Sequence, residues 1–236
     1  MEDLTNLKTF IIDTQNPKEI VDAISLELDG KVKKIWIHVS YPAKLFNFNS
    51  EIDNHAKNKS SSLYLIDSYI GMLPSNIIEQ CNLKQSRISE TLSACIELND
   101  NGSIKSYEIK EALIKPNYEI TYEDANELLE LEPEEEYELI ILNKLLKQSF
   151  NYRKRQGALT FNNAYTKILY NDKKISFEIE EITDSHNLVS EAMILMGNVV
   201  GDYFIKNKIP GPFRSQKINC DSSNILEKNV NSPVKY

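Results

Sequence analysis

Three acidic residues, Asp13, Glu19 and Asp22 in the stretch FIIDTQNPKEIVDAISLE (residues 10–27), are the side chains whose types and spacing best suit chemistry. They occupy a polar segment between two short apolar runs, residues 10–12 and 23–26, that read as strands. Asn16-Pro17 breaks any helix before Lys18, because proline fixes φ and biases the preceding residue away from the α region. The acids therefore sit on a loop rather than on a helical face, and a loop can converge them on one point. Carboxylates gathered in this way suit a hard cation. Two divalent cations about 4 Å apart repel by roughly 16 kcal/mol at an effective dielectric of about 20, so a two-metal site needs several anions close by. A solvated polar connection is the other reading of the same spacing.

The elements that must position this loop follow from turn and periodicity signals. Residues 23–28 and 32–39 flank Asp29-Gly30, which predicts a β-hairpin that anchors Asp22 at a strand end. Residues 93–98 and 103–109 pair across Asn99-Asp100-Asn101-Gly102, and residues 166–170 and 174–179 across Asn171-Asp172. A short helix is expected over 51–57, inside the Asn- and Ser-rich stretch around His55. Thr121 caps a helix over 122–131, with Asp124 placed to bond back to the cap.

The next helix starts at Pro133 with acids over 134–138. It carries Leu139, Leu142, Leu145, Leu146 and Phe150 on one face, ends near Arg153–Arg155 and stops at Gly157. Its basic end, with Lys144, Lys147 and Lys154, is either a solvated face or a contact for a nucleic-acid backbone. A last helix from Ser185 or Asn187 to Lys206 bears Leu188, Ala192, Met193, Met196, Val199, Val200 and Phe204. Strand hairpins with inserted helices make the chain α+β.

At 236 residues and 41% apolar content the chain can bury one sizeable core. A net charge of −8 argues mildly against nonspecific nucleic-acid binding, which draws on lysine and arginine. Cys81, Cys95 and Cys220 show no zinc spacing and read as neutral thiols of a reducing compartment. The N-terminus has no signal-peptide pattern, and no run of apolar residues approaches the roughly 20 needed to cross a bilayer, so the expectation is a cytoplasmic protein without membrane contact. His38 reads as a structural strand histidine.

The acidic pattern, I-D, a polar spacer, then K-E-I-x-D-A-I-S-x-E, resembles the signature of the ribonuclease II type RNB catalytic domain. Further strings agree in order: Ile35-Trp36-Ile37-His38-Val39, Ser62-Leu63-Tyr64-Leu65, Met72-Leu73-Pro74, the turn over 97–102, Thr121-Tyr122-Glu123-Asp124, Gln156-Gly157-Ala158-Leu159, Glu191-Ala192-Met193-Ile194 and Phe213-Arg214. The resemblance implies an antiparallel RNB-type fold over residues 9–217, after a lead of residues 1–8 and before a polar tail of residues 218–236. It implies processive Mg²⁺-dependent hydrolysis of single-stranded RNA from the 3′ end to mononucleotides.

By the same resemblance Asp13 and Asp22 bind Mg²⁺, and Glu19 ligates the ion or holds one of its waters. Tyr64 positions the terminal nucleotide, and Glu191 is a catalytic glutamate. The family carries an Asp directly before the loop's last Asp, where this chain has Val21, and often a second acid beside Glu191, where it has Ser190. The family's later segment T-S-P-I-R-R-Y, whose arginine contacts phosphate, is not found here, so a C-terminally truncated domain is expected. Loss of about 3 kcal/mol of transition-state stabilisation slows a reaction by about two orders of magnitude. A noncatalytic RNA-binding remnant, a half-domain completed by a partner chain, and a functionless truncated product are the alternatives.

Overall fold

The computed structural model describes residues 1–66, 68–158, 164–171 and 174–213. Its strands are β1 (Glu2–Asp3), β2 (Thr9–Asp13), β3 (Asp22–Asp29), β4 (Val32–Ser40), β5 (Leu63–Tyr64), β6 (Tyr69–Ile70), β7 (Ser89–Leu98), β8 (Ile104–Ile114), β9 (Tyr118–Thr121), β10 (Tyr165–Asn171) and β11 (Lys174–Glu180). The helices are α1 (Glu51–Lys59), α2 (Ser75–Cys81), α3 (Tyr122–Leu131), α4 (Tyr137–Arg155) and α5 (Asp184–Asn207). Seven strands form one sheet in the order β1-β8-β7-β4-β3-β2-β9, while β5–β6 and β10–β11 are separate two-stranded units.

Side-chain alternation divides the core between the two faces of the large sheet. Phe10, Ile12, Ile24, Leu26, Ile35, Ile37, Ala94 and Ile96 meet α3, α4 and α5 on one face. Ile11, Ala23, Trp36, Ala112 and Ile114 are covered on the other by Leu4, Leu7, Ile20 and Leu83. The first eight residues thus join the fold: Glu2 and Asp3 pair in parallel with Ala112 and Leu113, and Leu4 is buried. A second parallel pairing, β2 with β9, closes the far edge, while β3, β4, β7 and β8 form the expected antiparallel hairpins.

Two turns show why these hairpins close where they do. In the first, Asp29 pairs with Val32, so the loop is Gly30-Lys31, one residue later than Asp29-Gly30. Gly30 takes φ 61°, the positive value that a two-residue hairpin loop demands at its first central position. In the second, Gly102 has φ 87°, and a Cβ there would lie 2.1 Å from the Gln148 carbonyl oxygen of α4. The β7–β8 hairpin therefore seats directly on that helix. The β10–β11 hairpin forms as expected, and its Ile168, Ile175, Phe177 and Ile179 side chains are exposed.

Helix α3 begins at Thr121 with the full capping box to Asp124. The acids before α4 behave differently from the sequence expectation, forming a separate 3₁₀ turn (Glu134–Glu136). The reason is tertiary: Tyr118 donates a hydrogen bond at 2.7 Å to the Glu136 carboxylate, and Lys8 bonds the Glu135 carbonyl and, at 2.9 Å, the Glu138 carboxylate. Helix α5 alone among the described residues is long and apolar enough to cross a bilayer. Its Leu188, Ala192, Leu195, Met196 and Val199 are buried in the core.

His38 is completely buried, 2.8 Å from both Ser25 Oγ and Ser93 Oγ, with Thr91 Oγ1 continuing the chain 2.8 Å beyond Ser93. Burial pushes its pKa down to about 3, so it is a neutral strut across β3, β4 and β7. Cys81 and Cys95 are free thiols, both raised by burial. Arg214, Cys220 and the tail over 218–236 lie outside the described residues.

Candidate active site

The acidic loop runs from the end of β2 to the start of β3, so Asp13 and Asp22 are strand-end residues and Glu19 stands between them. Asn16 turns the chain with φ 57° immediately before Pro17. Beyond the turn the loop is pinned from below. Ile20 is buried, its amide donates to Asn82 Oδ1 at 3.1 Å, and its carbonyl accepts from the Leu83 amide at 2.9 Å. Val21 accepts a hydrogen bond from the Ser40 amide at 2.7 Å, while its side chain is 40% exposed between the acids.

Asp13 and Asp22 feel each other. Burial, and then the neighbouring charge of Asp13, push the Asp22 carboxyl up to about 6, and burial also raises Asp13. Asp13 accepts from the Thr14 amide at 2.6 Å. Among the described residues Asp22 has no hydrogen-bond donor and neither aspartate has a cationic partner.

Glu19 is held by three hydroxyls. Its Oε1 accepts from Ser62 Oγ at 2.9 Å and from the Tyr69 hydroxyl, and its Oε2 accepts from the Tyr64 hydroxyl at 3.1 Å. Tyr64 is 62% exposed, and its hydroxyl pKa is pushed up to about 12 by desolvation and by the Glu19 bond, so it stays a donor. Among the described residues no three His, Cys, Asp or Glu side chains stand together as a metal-holding group. The chemistry of the donors nevertheless suits a hard cation: two desolvated carboxylates in mutual repulsion gain from a positive charge between them, and Glu19 offers a further carboxylate on the same loop.

The structure does not join Glu191 to this group through any hydrogen bond or ion pair among the described residues. Glu191 is buried between α4 and α5, where Ser149 Oγ donates at 2.8 Å, Arg153 Nε at 3.0 Å and Arg153 Nη2 at 2.5 Å. The basic end of α4 is likewise engaged: Lys147 pairs with Asp184 at 2.6 Å, Lys144 with Glu132 at 3.4 Å, and Arg155 donates to the Asn101 carbonyl at 2.6 Å. Sequence reasoning missed Ser62 and Tyr69 as partners of Glu19 and Arg153 as the partner of Glu191. Two tyrosines five residues apart across a turn were the readable signal for the first; nothing in the spacing pairs residues 153 and 191.

The RNB domain profile matches residues 1–235. This chain belongs to the RNB domain family. An uncharacterized ribonuclease of Synechocystis sp. is 37% identical over 218 residues, which cover 91% of this chain and 33% of that protein. Ribonuclease II, chloroplastic/mitochondrial, of Arabidopsis thaliana is 34% identical over 231 residues, covering 94% and 29%. The chain thus spans about a third of the length of these curated relatives.

Mycoplasma genitalium RNase R in complex with ribose methylated single-stranded RNA has the same fold, with a TM-score of 0.85 at 22% identity over 100% of this chain and 39% of that chain. Yeast Ssd1, described as a pseudonuclease, matches with a TM-score of 0.69 at 18% identity over 87% and 26%. The α+β architecture of an RNB domain is therefore the architecture of this chain.

Proposed function

We propose that this chain carries the acidic site of a Mg²⁺-dependent 3′-to-5′ exoribonuclease acting on single-stranded RNA and releasing mononucleotides. The observation that carries the reading is the Asp13–Asp22 pair, two desolvated carboxylates without a cationic partner among the described residues, on a loop that resembles the family signature except at Val21, within a chain that belongs to the RNB family. The names of the ribonuclease relatives support it.

Asp13 and Asp22 would hold the ion, with Glu19 as the third oxygen ligand. Bound Mg²⁺ supplies Lewis acidity at the scissile phosphate and lowers the pKa of an attacking water. Tyr64, exposed and protonated, presents a donor and an aromatic face to the terminal nucleotide. Glu191 would take part only after loosening its grip on Arg153. Val21 leaves the loop one carboxylate short, which slows turnover. A cytoplasmic, reducing setting suits the free thiols of Cys81 and Cys95. A complementing chain would meet the exposed apolar side of the β10–β11 hairpin.

The test is a 5′-labelled single-stranded RNA incubated with the purified chain and Mg²⁺. Slow shortening from the 3′ end to mononucleotides, abolished by EDTA and by Asp22→Asn, is expected. No divalent-dependent cleavage and no RNA binding, in the native chain and in Val21→Asp, would overturn the reading. A noncatalytic RNA-binding role is the second reading, favoured by Val21, which stands where the family carries an acid. RNA binding without cleavage even in Val21→Asp distinguishes it.

A further inference from the structure

In the β5–β6 hairpin Leu63 stands opposite Ile70 and Tyr64 opposite Tyr69. Residues directly opposite in an antiparallel pair share a face, so the two tyrosines lie on one side of the hairpin and the two aliphatic residues on the other. The tyrosine rings are 5.2 Å apart between centroids and tilted by 49°, within the range of an aromatic pair. Their hydroxyls divide the Glu19 carboxylate: Tyr69 donates to Oε1, and Tyr64 donates to Oε2 at 3.1 Å.

The two tyrosines are not equivalent. Tyr64 is 62% exposed, whereas Tyr69 is half-buried. The oxygen that Tyr69 bonds also accepts from Ser62 Oγ at 2.9 Å, and Ser62 in turn accepts from the Met72 amide at 3.0 Å. Gly71 leaves the room for this arrangement, since a Cβ there would lie 2.9 Å from the Tyr69 hydroxyl and 3.0 Å from the Leu73 carbonyl oxygen. Tyr69 is thus built into the base of the hairpin, and Tyr64 projects from it. A lone exposed tyrosine spreads over several rotamers, and selecting one of them on binding costs affinity. Here the Tyr64 ring is backed by Tyr69, and its hydroxyl is tied to a carboxylate that Tyr69 itself orients. The acidic loop is close by: the Tyr64 hydroxyl, raised first by desolvation and by the Glu19 bond, also feels the Asp13 charge.

We propose that Tyr69 is a positioning residue for RNA, one that fixes the Tyr64 ring through its own ring and through Glu19 so that the base of the 3′-terminal nucleotide meets a preformed stacking face. The inference rests on the reading of Tyr64 as the contact for that nucleotide. Stacking uses the face of a ring and the hydroxyl bond lies at its edge, so a base can settle on Tyr64 while Glu19 keeps its hold.

The experiment measures, by fluorescence anisotropy, the affinity of a cleavage-resistant single-stranded RNA and of the same RNA with an abasic 3′-terminal nucleotide. The proteins are the native chain, Tyr69→Leu, Tyr69→Phe, Tyr64→Leu and Tyr64→Leu/Tyr69→Leu. Stacking of a base on an aromatic side chain changes affinity by about tenfold, so the native chain should prefer the intact RNA by about that factor and Tyr64→Leu should abolish the preference. Tyr69→Leu should lose most of the same preference while binding the abasic RNA as the native chain does. Tyr69→Phe, which keeps the supporting ring, should retain part of it, and in the double variant the second change should add nothing to the first. A full preference in Tyr69→Leu, equal weakening toward both RNAs, no recovery in Tyr69→Phe, or an effect of Tyr69→Leu that persists without Tyr64 would overturn the positioning role. A native chain that binds the two RNAs equally, or a preference that survives Tyr64→Leu, would instead overturn the reading of Tyr64 beneath it, so the two failures are separable.

Discussion

Arg153 grips Glu191 through two nitrogens, Nε at 3.0 Å and Nη2 at 2.5 Å, with the carboxylate 3% exposed and Ser149 closing it from α4. Removing one member of a buried ion pair strands the other. Arg153→Met should destabilise the chain by about 3–5 kcal/mol, whereas Arg153→Met combined with Glu191→Leu should recover much of that loss. Urea unfolding of the three proteins checks it. Equal destabilisation of single and double variants would show that the pair is not what holds α4 to α5.

Two groups titrate in opposite senses in acid. Asp22 has its folded pKa raised from 3.8 to about 6, so ionising it disfavours the fold, and stability gained on protonation accrues as pH falls from about 6 to 4. His38 has its folded pKa lowered from 6.5 to about 3, so its contribution is present above 6.5 and lost as pH falls toward 3. In the native chain without divalent cations these two contributions should therefore nearly cancel between about pH 6 and 4. Relative to the native chain, Asp22→Asn should lose roughly 1.4 kcal/mol more per pH unit across that window, because the contribution that offsets His38 is gone. Denaturation midpoints at half-unit pH steps test this; parallel profiles for the two proteins would refute it.

Val21→Asp adds a carboxylate at an exposed position between Glu19 and Asp22 without disturbing the backbone bond from Ser40. Mg²⁺ affinity should rise by about tenfold or more, since each added anion offsets charge that the cation brings. In the absence of cation the same change should push the Asp22 carboxyl still higher. Isothermal titration with Mg²⁺ reads the first effect directly, and an unaltered affinity would speak against the loop as the binding site.

Gly102→Ala should cost about 2–4 kcal/mol, because its φ of 87° disfavours any side chain and a Cβ would strike the backbone of Gln148 rather than a movable side-chain tip. Gly197→Ala, which meets nothing within 4 Å in the interior of α5, should instead be neutral or stabilising by up to about 1 kcal/mol. Thermal melts of the two variants give the comparison.

What could be read beforehand divides along physical lines. Helix α3 was legible to the residue because Thr121 and Asp124 form a local motif, and the hairpins were legible because turn chemistry and alternation are local too. The one-residue shift at Gly30 came from the stricter demand of a positive φ. The parallel edges were not legible, since Glu2 with Ala112 and Asp13 with Thr121 are pairings that no neighbouring residue announces. The site divides in the same way. Asp13, Glu19 and Asp22 could be chosen from pattern and resemblance, but the hydroxyls that hold Glu19 come from Ser62 and Tyr69, 43 and 50 residues further along the chain, and the surroundings of Glu191 depend on how α4 crosses α5.

Strand β2 touches β3 at only Thr9 and Phe10, and the register that fixes Asp13 is its match with Thr121 on β9. During synthesis the first carboxylate of the site therefore emerges early, and although the start of its strand can pair with β3 soon after, Asp13 itself waits for more than a hundred further residues before Thr121 arrives to pair with it. A nascent chain halted anywhere before β9 would display the acidic loop with Asp13 adrift, and assembly of the cation-binding end is timed by the arrival of a short edge strand rather than by the loop itself.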